Sequence, residues 1–264
     1  MSKNKNAYDD PHIAEIYDKT EAYVDDIELI RSRINNLGAM HILEPFCGTG
    51  RVIIPLACDE RRLVGIDESS AMLNRAQSKL NKLSDDIKTR VKLIQADATA
   101  YSWPEGFDLV ILGANCLYEL ATPEEQETCI AKAAASLKPG GYLFLDNNHM
   151  EGELDESWRQ TGPRKSIFPV GTCDDGTCLD ATTETTWFDG PKRLWQARRL
   201  ITIKYPDGTN STIEQVVQKH PVSVVEQQQW LRTYGFIIEN LYGDRKGSPY
   251  TDKSDRAIFW AKKA

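Results

Sequence analysis

Residues 41–146 alternate short apolar runs with longer stretches of helical periodicity, and this alternation restricts the fold more than any other feature of the chain. The apolar runs are HILE, RLVGID, VKLIQ, FDLVIL and YLFLD, and helices are predicted between them at 52–57, 70–82 and 123–137. Strands that alternate with helices are typical of βαβ units, in which helices cover both faces of a parallel sheet. The sequence therefore predicts a doubly wound domain of the α/β class.

After Asp146 the alternation stops and a different pattern begins. The strings TTETTWF, RLWQARRLITIKY and STIEQVVQKH follow one another within 180–220, separated by the turn sequences DGP and PDG. Such segments joined by short turns predict an antiparallel meander. A helix at 227–234 and strands at 236–242 and 257–262 then resume the first pattern. We therefore expect N-terminal helices at 1–39, a core formed by 40–148 and 222–264, and an antiparallel β cap inserted at 149–221.

The chain of 264 residues carries 32 Lys and Arg against 39 Asp and Glu, a formal net charge of −7. This balance argues against binding of nucleic acid, because proteins that bind it neutralise phosphates with basic side chains. No apolar run approaches the roughly 20 residues of a membrane span, and the first ten residues lack the apolar core of a secretory signal. The spacing in CDDGTC is not that of a zinc site. We therefore expect a cytoplasmic protein with neither a membrane partner nor a metal.

The string LEPFCGTGR at 43–51 lies where the first predicted strand turns into its helix. In a doubly wound sheet, ligands bind outside the carboxyl ends of the strands, and a glycine turn lets the backbone approach a ligand closely. Asp67 ends the second predicted strand, 19 residues beyond Gly48, close to the ~20 expected for an acid that accepts hydrogen bonds from ribose hydroxyls. This combination predicts a site for a nucleotide-like cofactor.

The same segment narrows the choice of cofactor. The third glycine of a dinucleotide fingerprint is replaced by Ile53, which disfavours a dehydrogenase, and no Gly-Lys-Ser/Thr follows for a phosphate loop. Glu44 adds negative charge that would repel a phosphate and attract a sulfonium or ammonium group. These residues favour a ribose-bearing cofactor without a pyrophosphate, and S-adenosyl-L-methionine fits that description.

At 40–146 and from Gln229 onward, the chain resembles the class I S-adenosylmethionine-dependent methyltransferases. EPFCGTGR is similar to the glycine loop of that family, GIDES to its ribose-binding strand end, and LKPGG to the entry into its fifth strand. The end of the chain is similar to the antiparallel strand pair that closes the family's sheet. The resemblance implies a Rossmann-like, doubly wound seven-stranded sheet with an inserted antiparallel β cap. It also implies N-terminal helices that cover the cofactor.

The resemblance further implies a set of cofactor-binding residues. Gly48, Thr49 and Gly50 would contact the methionine part, Asp67 the ribose diol, Met72 the adenine, Asp97 and Ala98 the adenine amino group and ring, and Asn115 would face the sulfonium. Glu44 and Arg51 flank the glycine loop, and Tyr17 lies in the segment that covers the cofactor in relatives. Met72 and Tyr17 could instead serve only as packing residues.

Methyl transfer from a sulfonium is an in-line displacement, so the protein must mainly hold the nucleophile about 3–3.5 Å from the methyl carbon and exclude water. A hydroxyl acceptor would need a base within reach, whereas the lone pair of a neutral amine suffices. The sequence contains no evident base or metal cluster, which favours an amine. Tyr118 and His149 are the catalytic candidates, with Glu119 and Asn147 as further polar residues nearby.

Enzymes of the family that methylate base amines carry Asn or Asp followed by Pro-Pro and an aromatic residue, whereas this chain has Asn115-Cys116-Leu117-Tyr118. That departure favours a small-molecule acceptor. An RNA or protein methyltransferase and a non-catalytic cofactor-binding subunit remain the alternatives. The meander resembles the β lid of several small-molecule methyltransferases, which also implies a homodimer formed through the cap. The basic cluster Arg193, Arg198 and Arg199 is interpreted as a solvated strand edge, with recognition of a phosphate or carboxylate as the alternative.

Overall fold

The computed structural model describes residues 7–35, 37, 40–151, 156–159 and 161–264. The helices are α1 (Pro11–Thr20), α2 (Asp25–Ile34), α3 (Ile53–Cys58), α4 (Ser70–Leu80), α5 (Asp85–Lys88), α6 (Pro123–Ser136), α7 (Glu156–Arg159) and α8 (Val224–Thr233). The strands are β1 (His41–Pro45), β2 (Arg62–Asp67), β3 (Val91–Gln95), β4 (Phe107–Leu112), β5 (Leu137–Asn148), β6 (Arg164–Lys165), β7 (Gly171–Thr172), β8 (Cys178–Asp189), β9 (Leu194–Lys204), β10 (Asn210–Lys219), β11 (Phe236–Tyr242) and β12 (Arg256–Lys263). Short 3₁₀ turns lie at Ala7–Asp9 and Cys116–Glu119.

Seven strands form one sheet in the order β11-β12-β5-β4-β1-β2-β3. Strands β1 to β5 run parallel, whereas β12 is antiparallel to both β5 and β11. Because β1 pairs with β2 on one side and β4 on the other, the strand order reverses between β1 and β4, and this switch point is where doubly wound sheets bind ligands. The predicted seven-stranded, doubly wound α/β fold is confirmed.

Successive residues of the central strands are buried on opposite faces of the sheet. In β1, Ile42 belongs to the hydrophobic cluster that α2, α3 and α4 cover, whereas Leu43 belongs to the cluster that α6 and α8 cover. Both side chains are fully buried. Coverage on both faces explains why these strands read as continuous apolar runs in the sequence.

The second sheet contains strands β6 to β10, all antiparallel, in the order β10-β9-β8-β6, with β7 also pairing with β8. It occupies residues 164–219 of the chain, between β5 and α8. The predicted inserted antiparallel sheet is therefore confirmed. The expected bounds of the cap at 149–221 and the expected homodimer through it stay predictions.

Helix α1 lies between the two sheets. Asp10 caps the helix by accepting hydrogen bonds from the backbone N–H groups of His12 and Ile13. Ile13 packs into the core of the cap, whereas Ala14 packs against α4. An Asp-Pro pair at a helix start is a recognised sequence signal, so this helix could have been delimited from sequence.

The structure differs from expectation at the LKPGG segment. The resemblance implies that LKPGG leads into the fifth strand, but Leu137 already pairs with Phe107, and β5 begins there. The register then shifts between Phe107 and Leu109, and Gly140 adopts φ +77°. A glycine in this left-handed conformation lets the strand absorb the irregularity.

Among the helices that the structure describes, none has the length and apolarity needed to cross a bilayer. The described residues also contain no group of three or more His, Cys, Asp or Glu side chains that could hold a metal ion.

Candidate functional site

A cavity lies between the carboxyl ends of β1 to β4 and the inner face of the second sheet. Loops after the four core strands form its floor, the segment around α1 forms one wall, and β9 and β10 form its roof. Six of the predicted site residues line it, namely Tyr17, Gly48, Asp67, Met72, Asp97 and Ala98.

The glycine loop after β1 contributes one glycine to the cavity and one to packing. Gly48 has φ +54°, and a Cβ built there would have only a Tyr17 carbon, at 4.0 Å, nearby, so this backbone faces open space. Gly50 has φ +74°, and a Cβ there would lie 2.7 Å from the Cδ1 of Ile54 in α3. Gly48 therefore lets a ligand approach, whereas Gly50 lets helix α3 approach.

Asp67, at the end of β2, is held by two backbone donors. The N–H of Gly48 donates to Oδ2 at 2.8 Å and the N–H of Ser69 donates to Oδ1 at 2.9 Å. Burial raises the pKa of Asp67, and these two bonds act against that rise. Each carboxylate oxygen keeps a second lone pair for a further donor, so the fixed carboxylate can accept hydrogen bonds from two neighbouring hydroxyl groups.

The floor beyond Asp67 is partly apolar. Met72, in the first turn of α4, and Ala98, after β3, both line the cavity and are themselves buried. Asp97 accepts from the N–H and the hydroxyl of Thr99, at 2.8 and 2.6 Å. This part of the cavity offers apolar contact beside a fixed carboxylate.

Glu44 lies outside the cavity lining and is only 6% exposed. Its Oε2 has no hydrogen-bond partner among the described residues. Burial raises the pKa of Glu44 to about 8, with smaller effects from Arg51 and Asp26. At neutral pH this side chain is mostly protonated, so the negative charge that the sequence argument assigned to it is largely absent.

Thr49 and Arg51 have their side chains directed at neighbouring helices. The Thr49 hydroxyl donates to Asp18 of α1, while Arg51 donates to both oxygens of the buried Asp26 of α2, at 2.9 and 2.6 Å. The Arg51 guanidinium also stacks on the ring of Tyr23, 4.0 Å from its centroid. Neither side chain lines the cavity. They fasten α1 and α2 to the glycine loop, and their cofactor roles stay predictions.

Asn115 adopts the left-handed conformation, with φ 61°. Its Oδ1 accepts hydrogen bonds from the N–H of Asn148, at 2.8 Å, and from Arg256, at 3.0 Å. The side chain therefore joins the end of β4 to β5 and β12. It does not line the cavity, although its neighbours Ala114 and Cys116 do.

Neither catalytic candidate lines the cavity. The Tyr118 ring lies under the ammonium of Lys219, 4.8 Å from its centroid, and the His149 ring packs against Tyr250, with 5.3 Å between centroids. The residue next to Tyr118 does line the cavity: Glu119 forms an ion pair with the buried Lys219 of β10. Nearly half of the Glu119 side chain stays accessible, and since the residue lines the cavity, we attribute that surface to the cavity.

The basic cluster of the cap is divided by the alternation of strand β9. Arg198 pairs with Glu184 at 2.7 Å and is 45% exposed, whereas Arg199 lines the cavity. Arg193 donates to the backbone carbonyls of Pro221 and Met150. The interpretation as a strand edge is wrong for both Arg198 and Arg199, because β9 is flanked by β8 and β10. Arg198 is solvated on the outer face of the sheet, whereas Arg199 lies on the face that is turned to the cavity.

Three aromatic rings contribute to the cavity wall. Tyr8 stacks on Phe168, with 5.7 Å between ring centroids, and Tyr17 meets both rings edge to face, at 6.0 and 6.3 Å. All three residues line the cavity. This aromatic wall joins the segment around α1 to the loop before β7.

The core of this chain is similar to known proteins. The family model described as "Methyltransferase domain" matches residues 42–141. A protein of Geobacillus sp. strain WCH70, whose name places it among the methyltransferases, is 24% identical over 86% of this chain and 85% of its own length. The cypemycin N-terminal methyltransferase of Streptomyces is 24% identical over 81% of this chain and 79% of its own length. A ubiquinone biosynthesis O-methyltransferase of Pseudomonas fluorescens is 31% identical, over 42% of this chain and 45% of its own.

Solved structures share the fold over nearly the whole chain. An S-adenosylmethionine-dependent methyltransferase from Clostridium acetobutylicum matches with a TM-score of 0.74 and 16% identity, covering 98% of this chain and 100% of the other. An amino pentose methyltransferase of calicheamicin biosynthesis from Micromonospora echinaspora, solved with its cofactor bound, matches with a TM-score of 0.65 and 19% identity, covering 98% and 99%. At these identities the similarity shows the fold, with both core and cap included.

Proposed function

We propose that this chain, an S-adenosylmethionine-dependent methyltransferase, methylates the nitrogen of a small-molecule amine held between the core and the cap. The N-terminal helices and the cap at 149–221 serve as the two covers of this site. The floor of the cavity is formed by loops of the first sheet and its roof by strands of the second.

The residues of the floor fit the cofactor. Asp67 presents a carboxylate with lone pairs suited to the ribose hydroxyls, and Met72 and Ala98 present apolar surface suited to adenine. Gly48 leaves open space beside Tyr17 for the methionine part. S-adenosylmethionine supplies a methyl group on a positively charged sulfur, and acidic residues on the floor complement that charge. Thr49, Gly50, Arg51 and Asn115 act by holding the loops that line the cavity.

Glu119 is the residue that most favours an amine as the methyl acceptor. Burial raises the pKa of Glu119, but the positive charges of Lys219 and Arg199 together lower it by more. The pKa therefore lies below the usual value, and the group is a carboxylate at neutral pH. Such a carboxylate accepts a hydrogen bond from an amine N–H but is a weak base. The described residues that line the cavity include no histidine, and burial raises the pKa of the tyrosines Tyr8 and Tyr17. An acceptor that needs no base suits this wall best.

The protein's contribution is therefore placement and exclusion of water. Glu119 orients the nitrogen, and the aromatic wall of Tyr8, Tyr17 and Phe168 keeps water out of the cavity. A neutral amine already exposes its lone pair, and the proton that the methylated product carries passes to solvent. Holding the two reactants together in this way accounts for most of the rate enhancement that such a site can supply.

Relatives that align over most of this chain also support nitrogen. The cypemycin enzyme and the amino pentose enzyme align over 81% and 98% of this chain, and their names point to amine-bearing acceptors. The ubiquinone O-methyltransferase aligns over only 42%, which is too short to include the whole cap together with the core.

The first experiment measures cofactor binding by calorimetry. We expect saturable binding of S-adenosylmethionine to the wild type and loss of binding in Asp67→Ala. Asp180→Ala, which removes an exposed carboxylate paired with Lys204 on the cap, is the matched control and should bind normally. A wild type that binds no S-adenosylmethionine would overturn the proposal.

The second experiment screens acceptors with a labelled methyl donor and identifies products by mass spectrometry. Methylation of amines, with Glu119→Gln raising KM for them, is the expected result. Methylation confined to hydroxyl compounds or to RNA would contradict the proposal. Binding of the cofactor without transfer to any acceptor would instead indicate a non-catalytic subunit.

A peptide N-terminus is a second candidate acceptor, favoured by the cypemycin relative. Both acceptors present an amine, so the discriminating property is size. The methylation rates of short peptides and of free amines, measured in the same assay, distinguish the two acceptors. Because the cap covers the cavity, we expect free amines to be the better acceptors.

A further inference from the structure

We infer that the methyl acceptor carries an anionic oxygen group, a carboxylate or a phosphate, which pairs with Arg199 on the roof of the cavity. This inference rests on the proposed function and names its substrate class.

Arg199 belongs to the middle of the cap sheet. It lies opposite Thr183 of β8 and Gln215 of β10 in the strand register. Gln215 and Val217 also line the cavity, and since alternate residues of a strand share a face, this inner face of the cap is the acceptor side. A guanidinium at the centre of a sheet has no edge over which to reach bulk water, unlike an arginine on an outer strand.

The other basic side chains near Arg199 are already paired. Arg198 has Glu184 and Glu214 on the outer face, and Lys219 has Glu119. Arg199 has no hydrogen bond and no ion pair with any residue that the structure describes, and its Nε is buried without a partner. The carboxylate of Glu119, whose pKa Arg199 helps to lower, is paired with Lys219 and forms no ion pair with Arg199. A partly desolvated guanidinium without a carboxylate in contact is unfavourable for the folded protein, which is expected where a ligand completes the pairing.

The charges of the cavity are unevenly divided. On the roof side, Lys219 and Glu119 cancel, so Arg199 leaves one net positive charge facing the interior. The floor side carries the acidic Asp67, Glu68 and Asp97. A molecule with an amine and an anionic group matches this division, with its nitrogen toward Glu119 and its anion toward Arg199.

The planar fork of arginine binds carboxylates and phosphates through two parallel hydrogen bonds. Such a clamp fixes orientation as well as affinity, so it would hold the nitrogen end of the acceptor at a constant place. A hydrogen bond to a charged group contributes about 1.5–3 kcal/mol, which corresponds to roughly 10- to 150-fold in KM.

The experiment compares matched pairs of amines in the methyl-transfer assay. Alanine is set against alanine methyl ester, and ethanolamine phosphate against ethanolamine; the two pairs distinguish a carboxylate from a phosphate. We expect the wild type to prefer the anionic member of at least one pair, and Arg199→Met to remove that preference, chiefly by raising KM. Arg199→Lys, a point charge without the fork, should retain part of it.

Two controls separate Arg199 from the rest of the protein. Arg198→Met alters the neighbouring outward-facing arginine and should leave the preference intact. S-adenosylmethionine should bind Arg199→Met as it binds the wild type. A loss of cofactor binding in Arg199→Met would place the cofactor's own carboxylate at this arginine and overturn the inference.

Failure of the inference and failure of the proposed function give different results. Equal use of both members of each pair, unchanged in Arg199→Met, contradicts the anion site while amine methylation stands. If no amine is methylated, binding of acetate and of inorganic phosphate to the cofactor-loaded protein decides the matter by calorimetry. Saturable binding that Arg199→Met abolishes supports the site, and absence of binding in the wild type contradicts it.

Discussion

Three carboxyl groups at this site have different ionisation because their surroundings differ. Glu44 is buried and its pKa is raised to about 8, while Asp67 is held by two N–H donors that oppose the effect of burial. Glu119 is paired with Lys219, and its pKa falls below the usual value. Sequence places all three near one another, but only the partners of each group decide its charge.

Replacing Glu44 by Gln should reduce the loss of stability at rising pH. The folded protein holds the Glu44 proton more tightly than the unfolded chain does. The stabilisation that results is complete below about pH 4.5 and is lost as the pH rises through 8. Within that window it changes the free energy of unfolding by about 1.4 kcal/mol per pH unit. Urea unfolding from pH 5 to pH 8 measures the difference between wild type and variant. Glu105→Gln, on an exposed loop, is the control, and parallel pH profiles for wild type and Glu44→Gln would contradict the prediction.

Gly50→Ala should destabilise the protein more than Gly235→Ala. Both glycines have positive φ, +74° and +78°, so an alanine costs about 1–2 kcal/mol of backbone strain at either position. Only at Gly50 does the new Cβ meet a side chain, Ile54, at 2.7 Å, which adds about 1–3 kcal/mol of overpacking. The free energy of unfolding in urea measures both, and equal losses would show that α3 moves aside without cost.

At the scale of elements, buried charges attach the N-terminal helices to the glycine loop. Asp26 of α2 is 1% exposed and pairs with Arg51, and Asp18 of α1 receives hydrogen bonds from Thr49, Arg75 and Lys79. The loop therefore has one side facing the cavity and another side held by α1 and α2. The sequence identified the loop but not the second set of contacts, because the partners are 25 to 61 residues away.

Asp26→Asn should loosen α2 and lower stability by about 3–5 kcal/mol, since it leaves the Arg51 charge buried without a counter-ion. Asp25→Asn changes the neighbouring, half-exposed carboxylate and should cost less than 1 kcal/mol. Urea unfolding gives the two energies. A similar small loss for both variants would mean that water reaches Arg51 and that the pair contributes little.

Cofactor binding should slow hydrogen exchange in α1. Tyr17 lies in this helix and lines the cavity, and Tyr8, just before it, lines the cavity as well, so a ligand that fills the space contacts them directly. The comparison is exchange in residues 7–20, measured by mass spectrometry with and without S-adenosylmethionine. The exposed side of α6 supplies the internal reference. Unchanged exchange in 7–20 together with slowed exchange at the glycine loop would show that α1 is not part of the cofactor cover.

For the whole molecule, the cavity exists because the inserted sheet returns over the carboxyl ends of the core strands. Side-chain amides fasten this return: Gln218 of β10 donates to the carbonyl of Ala121, and Gln126 of α6 donates to the carbonyl of His220. Glu119 and Lys219 add an ion pair across the same junction. These contacts between 119–126 and 218–220 join the core to the cap beside the cavity.

Thermal unfolding should separate a methyltransferase from a dehydrogenase for the intact protein. A ligand that binds only the folded state adds RT ln(1 + [L]/Kd), about 2.7 kcal/mol at a concentration of 100 Kd. We expect S-adenosylmethionine to raise Tm and a nicotinamide dinucleotide to leave it unchanged. Asp67→Ala should lose the shift. A rise in Tm with the dinucleotide would support a dehydrogenase, which the presence of Ile53 disfavours.

The sequence by itself determined the doubly wound sheet, the inserted antiparallel sheet and the acid and glycines at the carboxyl ends of the core strands. These features follow from local periodicity and from the fixed handedness of βαβ connections, which bring strand ends to one edge. Only the tertiary structure decided that Glu119 and Arg199 face the cavity, that Tyr118 and His149 do not, and that Glu44 is mostly protonated. Those properties depend on burial and on partners up to a hundred residues away along the chain, and a local pattern carries no information about either.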